Sequence, residues 1–120
     1  MDRKLVTTGA TLAGVAVMLG AFGTHALTGR IDTRALGWWQ TAVQYQAWHA
    51  LAVLALGLSG RAWMRASAWM LAAGAVIFAA TLYAMALGGP RWLGAVTPIG
   101  GLLMIAGWLL LAWRAAHDRT

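Results

Sequence analysis

The 120-residue chain contains no cysteine, and its acidic residues are limited to Asp2, Asp32 and Asp118. Without thiols there is no disulfide, no thiolate nucleophile and no cysteine ligand for a metal. The carboxylates sit at the start, between the first two apolar runs and in the tail, so no apolar run carries an acid for proton relay or cation exchange. That argues against proton-coupled export in the manner of small multidrug transporters. Charge of any kind is scarce at 10% of residues, against 61% hydrophobic residues, eight Trp and a mean hydropathy of +0.68. So little polar surface cannot coat a soluble globule of this size, and the composition is that of a membrane protein.

Crossing hydrocarbon takes about 20 mostly apolar residues per helix. Residues 5–26, 41–60, 66–88 and 93–113 meet that requirement and use nearly all of residues 1–120. They predict one all-α domain, an integral membrane four-helix bundle with short loops. The basic start and the small-residue end at Thr24-His25-Ala26 have the outline of a signal peptide, but the apolar run between them exceeds the roughly 7 to 15 residues such peptides use. A pI near 11.5 raises nucleic acid as a partner. The basic residues are instead spread singly between the runs, as topology signals are, so no nucleic-acid partner is expected. With the N-terminus in the cytoplasm, Arg3, Lys4, Arg61, Arg65, Arg114 and Arg119 fall inside, and Arg30, Arg34 and Arg91 outside. The excess predicts both termini cytoplasmic. Trp38, Trp39 and Trp92 then lie near outer span ends and Trp63, Trp69 and Trp113 near inner ones, where amphipathic rings anchor. The tilted charge also argues against exporters and fluoride channels that insert in both orientations.

Small residues recur at helical spacing in the first span (Gly9, Ala13, Ala16, Gly20, Gly23) and the third (Ala68, Ala72, Ala75, Ala79), which predicts close backbone approach within the bundle or at a dimer face. Gly57, Gly60, Gly88 and Gly89 read as helix ends. Thr97-Pro98 admits a second reading of the fourth span, an N-cap with proline in the first turn and irregular chain over 88–96. In that reading the bare helix start near Arg91 suits a small anion or a lipid phosphate, while the plainer view gives Pro98 a shaping role only. Residues 26–30 and 86–91, Ala-Leu-Thr-Gly-Arg and Ala-Leu-Gly-Gly-Pro-Arg, are alike enough to suggest two related hairpins, or simply two helix stops each followed by an arginine.

Polarity is lopsided. The outer half holds Thr24, His25, Tyr45, Gln46, His49, Thr81, Tyr83 and Thr97, whereas the inner half is almost wholly apolar. On the second span Tyr45, Gln46 and His49 share a face, with Gln40 and Gln44 pointing the other way. Because polar side chains in hydrocarbon need partners, the Tyr45/Gln46/His49 face is expected to look inward, with His25 as its neighbour nearer the surface. Such a cluster is either a pocket for a polar head group, quinone, haem edge or metal, or a hydrogen-bond network that fixes helix register. Two histidines alone fall short of the ligands that zinc sites take from protein. Bis-histidine haem is disfavoured by the offset of His25 and His49 along the membrane normal. Ser59 and Ser67 lie near the inner surface, away from both histidines, so a Ser/His nucleophile is not expected.

GAFGTHAL at 20–27, YQAWHALAVL at 45–54, LYAMALGG at 82–89 and RWLGAVTPIGGLLMIAGWLLLA at 91–112 together resemble the domain-of-unknown-function family DUF423, related to transmembrane protein 256. The resemblance covers essentially the whole chain in order. It implies a four-span protein of the bacterial inner membrane or of mitochondria, without an established activity, and marks His25, Tyr45, Gln46, His49, Thr97 and Pro98 as motif positions. The family pattern most often has Ala where this chain has Thr24.

The sequence is therefore read as a non-enzymatic binding or accessory component of the bacterial inner membrane, with Thr24, His25, Tyr45, Gln46, His49, Tyr83, Arg91, Thr97 and Pro98 as its candidate polar cluster. Lipid, a small ligand, a second copy or a larger membrane complex are the expected partners, and the cofactor is left open. A narrow channel or carrier for a neutral or anionic solute, and a haem- or quinone-binding redox subunit, are the alternatives.

Overall fold

Each of the first two helices starts at an aspartate. In the computed structural model, which describes residues 1–117, α1 runs Arg3–Phe22 and the Asp2 carboxylate accepts from the Leu5 N–H at 3.2 Å. Helix α2 runs Thr33–Ser59, with Asp32 accepting from the Ala35 N–H at 2.7 Å. Each cap satisfies a donor that a helix start leaves unpaired. After a 3-10 turn at Ala62–Met64, α3 spans Arg65–Ala86, and α4 spans Leu93–His117. The fold is all-α, with no strand among the described residues. Asp118 and Arg119, counted above in the tail, lie outside the described residues.

Three boundaries differ from the sequence reading. Helix α2 begins well before the apolar run at residue 41, because its cap is Asp32 and a helix need not start where the hydrocarbon does. Gly57 is no helix end: it lies inside α2 and packs on α1, where an added Cβ would come within 2.8 Å of the Val6 backbone nitrogen. Gly60 does end α2, in the left-handed conformation at φ 69°. Pro98 is not at a helix start either. Helix α4 is already formed at Leu93, so Thr97 and Pro98 lie within it and the chain over 93–96 is helical. Proline has no N–H to give the Gly94 carbonyl four residues back, and it sits in the second turn, near the start of the helix.

The helices pack in chain order, α1 on α2, α2 on α3 and α3 on α4; α1 meets α3 only briefly, and α1 and α4 share no extended interface. The molecule is thus a folded row measuring 52 × 26 × 18 Å, and not a closed ring of four. Small residues set the spacing. A Cβ at Gly9 would fall 2.6 Å from the Leu54 nitrogen, and one at Gly100 would fall 2.5 Å from the Phe78 nitrogen. Ala68, Ala72, Ala75 and Ala79 are all buried along α3. At one end the Asp2 N–H donates to the Gly57 carbonyl at 2.8 Å, Arg65 pairs with Asp2 at 3.2 Å, and Arg114 donates to the Trp63 carbonyl at 3.1 Å. The start of α1, the α2–α3 turn and the end of α4 therefore share that end.

Three 25-residue stretches, Arg3–Leu27, Ala62–Ala86 and Leu93–His117, are long and apolar enough to cross a membrane. Helix α2, with 27 residues, has the length. Its hydropathy is lowered by Arg34, Gln40, Gln44, Gln46 and His49.

Candidate functional site

Gln46 and His49 sit one turn apart on the face of α2 that the row buries, 4% and 7% exposed. The Gln46 amide bridges three helices. Its Nε2 donates to the Leu12 carbonyl of α1 at 2.8 Å, and its Oε1 accepts from the Tyr83 hydroxyl of α3 at 2.7 Å. A backbone carbonyl can only accept, so at His49 the Nδ1–H donates to the Tyr45 carbonyl (2.8 Å) and Nε2 is left as the acceptor. That acceptor is filled by the Trp108 indole N–H of α4 at 3.0 Å. Both ring nitrogens are occupied, one tautomer is selected, and no lone pair remains for a metal or haem iron. Nearer the α3–α4 turn, the Thr81 and Thr97 hydroxyls lie 2.7 Å apart, and each also reaches a carbonyl of its own helix.

Tyr45 stays beside His49, whereas His25 and Thr24 do not. Tyr45 is half-buried and lays its ring against His49 and Phe78, with centroids 6.2 and 4.7 Å apart. His25 and Thr24 are exposed, and Thr24 bonds back to the Gly20 carbonyl at 3.2 Å. They sit on a π-helical turn, Gly23–Leu27, that continues α1. No group of three or more metal-binding side chains forms among the described residues. His25 thus does not join His49.

Two tryptophans complete the seam and were not singled out as site residues from sequence. Trp39, expected in an interfacial belt, is instead 3% exposed, donates to the Leu19 carbonyl at 2.8 Å and packs on Tyr83 with the rings tilted by 58° and their centroids 4.6 Å apart. Trp108 keeps 42% of its surface exposed and turns only its N–H inward. An indole with an apolar body and one donor suits both tasks, but the sequence marks neither as a partner.

A cleft of about 480 Å³ opens at the end opposite the termini, between the start of α2 and the α3–α4 turn. Arg34 and Arg91 line it, with Trp38 and the backbone of Gly88 and Gly89. Asp32 is also there, one carboxylate oxygen committed to the α2 cap. Among the described residues the one ion pair is Asp2–Arg65, so both cleft arginines lack a carboxylate partner. Gly29 and Gly88, in the two similar turns at this end, are both left-handed, with φ 84° and 95°.

This is the architecture of a multi-pass helical membrane protein in which buried Gln46, His49 and Thr81 and half-buried Tyr83 join its own helices, while the buried Ser67 hydroxyl has no partner among the described residues. The comparisons with known proteins agree: the family described as "Protein of unknown function (DUF423)" matches residues 19–101, and the chain belongs to that family. It is 42% identical over 112 residues to the UPF0382 membrane protein SH2409 of Staphylococcus haemolyticus, covering 91% of this chain and 92% of that one. With the UPF0382 inner membrane protein YgdD of Escherichia coli K12 it shares 38% identity over 116 residues, 92% of this chain and 88% of the relative. No solved structure matches. The chain is a multi-pass protein of the inner membrane, with several apolar helices able to cross it.

Proposed function

We propose that this protein is a non-enzymatic binding component of the bacterial inner membrane that holds an anionic head group, foremost a lipid phosphate, at its outer rim. The observation that carries the reading is the contrast between two sets of polar groups. Inside the row, Gln46, His49, Tyr83, Thr81 and Thr97 are all partnered. At the rim, Arg34 and Arg91 line one cleft and form no salt bridge among the described residues, and Asp32, which shares the cleft, commits one carboxylate oxygen to the α2 cap. Guanidinium groups present planar arrays of donors that match phosphate oxygens, and Gly88 and Gly89 leave the cleft wall low. Arg91, expected to serve an anion at a helix start by Thr97-Pro98, instead joins Arg34.

All four helices cross the bilayer in this reading, α2 included, because its polar residues Gln46 and His49 are hidden within the row. Both termini face the cytoplasm, supported by Arg3, Lys4, Arg61, Arg65 and Arg114 at their end of the molecule. The channel alternative is disfavoured by the tightly packed inner half, where Leu5, Val53, Ala68 and Leu71 are at most 1% exposed. The redox alternative is disfavoured by the occupied nitrogens of His49.

The test is native mass spectrometry of protein extracted gently from its membrane, with a visible spectrum of the same sample. Retained phospholipid, lost in Arg34→Gln/Arg91→Gln but kept in an Arg61→Gln control, is the expected result. A visible chromophore, or lipid retained equally by the double variant, would overturn the proposal. Competition by inorganic phosphate alone distinguishes a free anion from a lipid head group.

A further inference from the structure

At the end of the molecule opposite the arginine cleft, a groove of about 420 Å³ lies between the starts of α1 and α3. Arg3, Lys4, Thr7 and Thr8 of α1 line it, with Trp69 contributed by α3. Neither cation has a carboxylate partner among the described residues, because their neighbour Asp2 is taken by Arg65 and by the Leu5 N–H. Thr24, Thr81 and Thr97 each bond back to a carbonyl of their own helix, whereas neither the Thr7 nor the Thr8 hydroxyl forms a hydrogen bond among the described residues.

We propose that this groove holds a phospholipid with two phosphates, of the cardiolipin type. Arg3 and Thr7 stand four residues apart, as do Lys4 and Thr8, so each cation has a hydroxyl one turn along on its own face of the helix. The two columns are about 100° apart around the helix axis, so the cationic heads splay instead of converging on one group. Two phosphates on a short linker match two such columns, each phosphate accepting from one cation and one hydroxyl. The depth of the groove makes the source a lipid. Arg3 opens a 25-residue stretch long and apolar enough to cross a membrane, which sets the cations at head-group level. The threonines follow about 6 Å further in. There Trp69, 38% exposed, offers an apolar body to the glycerol and the first acyl carbons. Basic pockets between membrane helices are where lipids of this kind bind. The site is separate from the arginine cleft and does not depend on binding there.

Native mass spectrometry of protein released from phosphatidylethanolamine/phosphatidylglycerol/cardiolipin vesicles tests it, since mass separates a two-phosphate lipid from the single-phosphate lipid expected at the arginine cleft. Wild type, Arg34→Gln/Arg91→Gln and an Arg61→Gln control should all retain cardiolipin. Arg3→Gln/Lys4→Gln should hold it at least about tenfold more weakly. Thr7→Val/Thr8→Val, which keeps both charges and the side-chain shape, should weaken retention about threefold or more. That variant carries the test should the charge variant fail to fold or insert. Cardiolipin retained equally by the groove variants, lost to the same extent in Arg61→Gln, or displaced equally well by phosphatidylglycerol at matched phosphate would overturn the proposal. Displacement by pyrophosphate in solution would also overturn it, by making the groove a site for a free anion.

Discussion

A glutamine that bonds a backbone carbonyl on one neighbour and a phenol on another is a register pin: sliding α1 or α3 by one residue would break a bond that lipid cannot replace. In membranes such side-chain bonds contribute about 0.6 to 2 kcal/mol each. A double-mutant cycle on Gln46→Leu and Tyr83→Phe should therefore return a coupling of about 0.5–1.5 kcal/mol in unfolding from mixed micelles. Additive losses would show that the bond does not form. Trp108→Phe should lower stability by a similar amount, about 1 kcal/mol, by leaving His49 Nε2 without its donor. The inward face of Gln46 and His49 is legible from helical spacing together with the need of polar groups in hydrocarbon for partners. The partner Trp108 was not, since a residue nearly half exposed looks like a lipid anchor. His25, expected as a neighbour nearer the surface, is not one: its turn lies level with Trp39, on which Gly23 packs, ten residues along α2 from His49.

Helix contacts here are made by backbone against backbone. A Cβ at Gly74 would lie 2.8 Å from the Gly100 carbonyl oxygen and from the Met104 nitrogen. Gly100→Ala should force α3 and α4 apart at a cost of about 1–3 kcal/mol, whereas Gly14→Ala, with open space around it, should leave the unfolding temperature unchanged or raised. Equal effects at the two positions would contradict the packing. At the opposite end of α1, the Leu5 N–H and then Arg65 hold the Asp2 carboxyl below the usual carboxylate range. A pKa lowered by folding contributes stability that is present above the unfolded value of about 3.9 and lost as pH falls through the folded one. Unfolding temperature should thus drop below about pH 4 in wild type, and Asp2→Asn should flatten that drop. The runs of apolar residues were enough to count four helices. Their ends were harder, because the start of α2 is set by the Asp32 cap and not by hydropathy, and α4 begins at Leu93 and runs on through Pro98.

At the scale of the molecule, the open row divides labour: α2 and α3 hold the polar seam, while α1 and α4 offer most of their surface to lipid. Its two ends differ in charge as well, which predicts orientation. In a chain without native cysteine, Ser59→Cys should react with a membrane-impermeant thiol reagent only from the cytoplasmic side, and Arg30→Cys only from the outer side. Labelling from the wrong sides would invert the topology and move the arginine cleft into the cytoplasm. The central claim, that binding belongs to the rim and the interior cluster is structural, is tested most directly by thermal unfolding with and without short-chain phosphatidylglycerol. A ligand at 100 times its dissociation constant stabilises by about 2.7 kcal/mol. The account predicts that increment in wild type and in His49→Ala, superposed on a lower starting stability in the latter, and its disappearance in Arg34→Gln/Arg91→Gln. An increment that survives loss of both arginines but vanishes with His49 would contradict it.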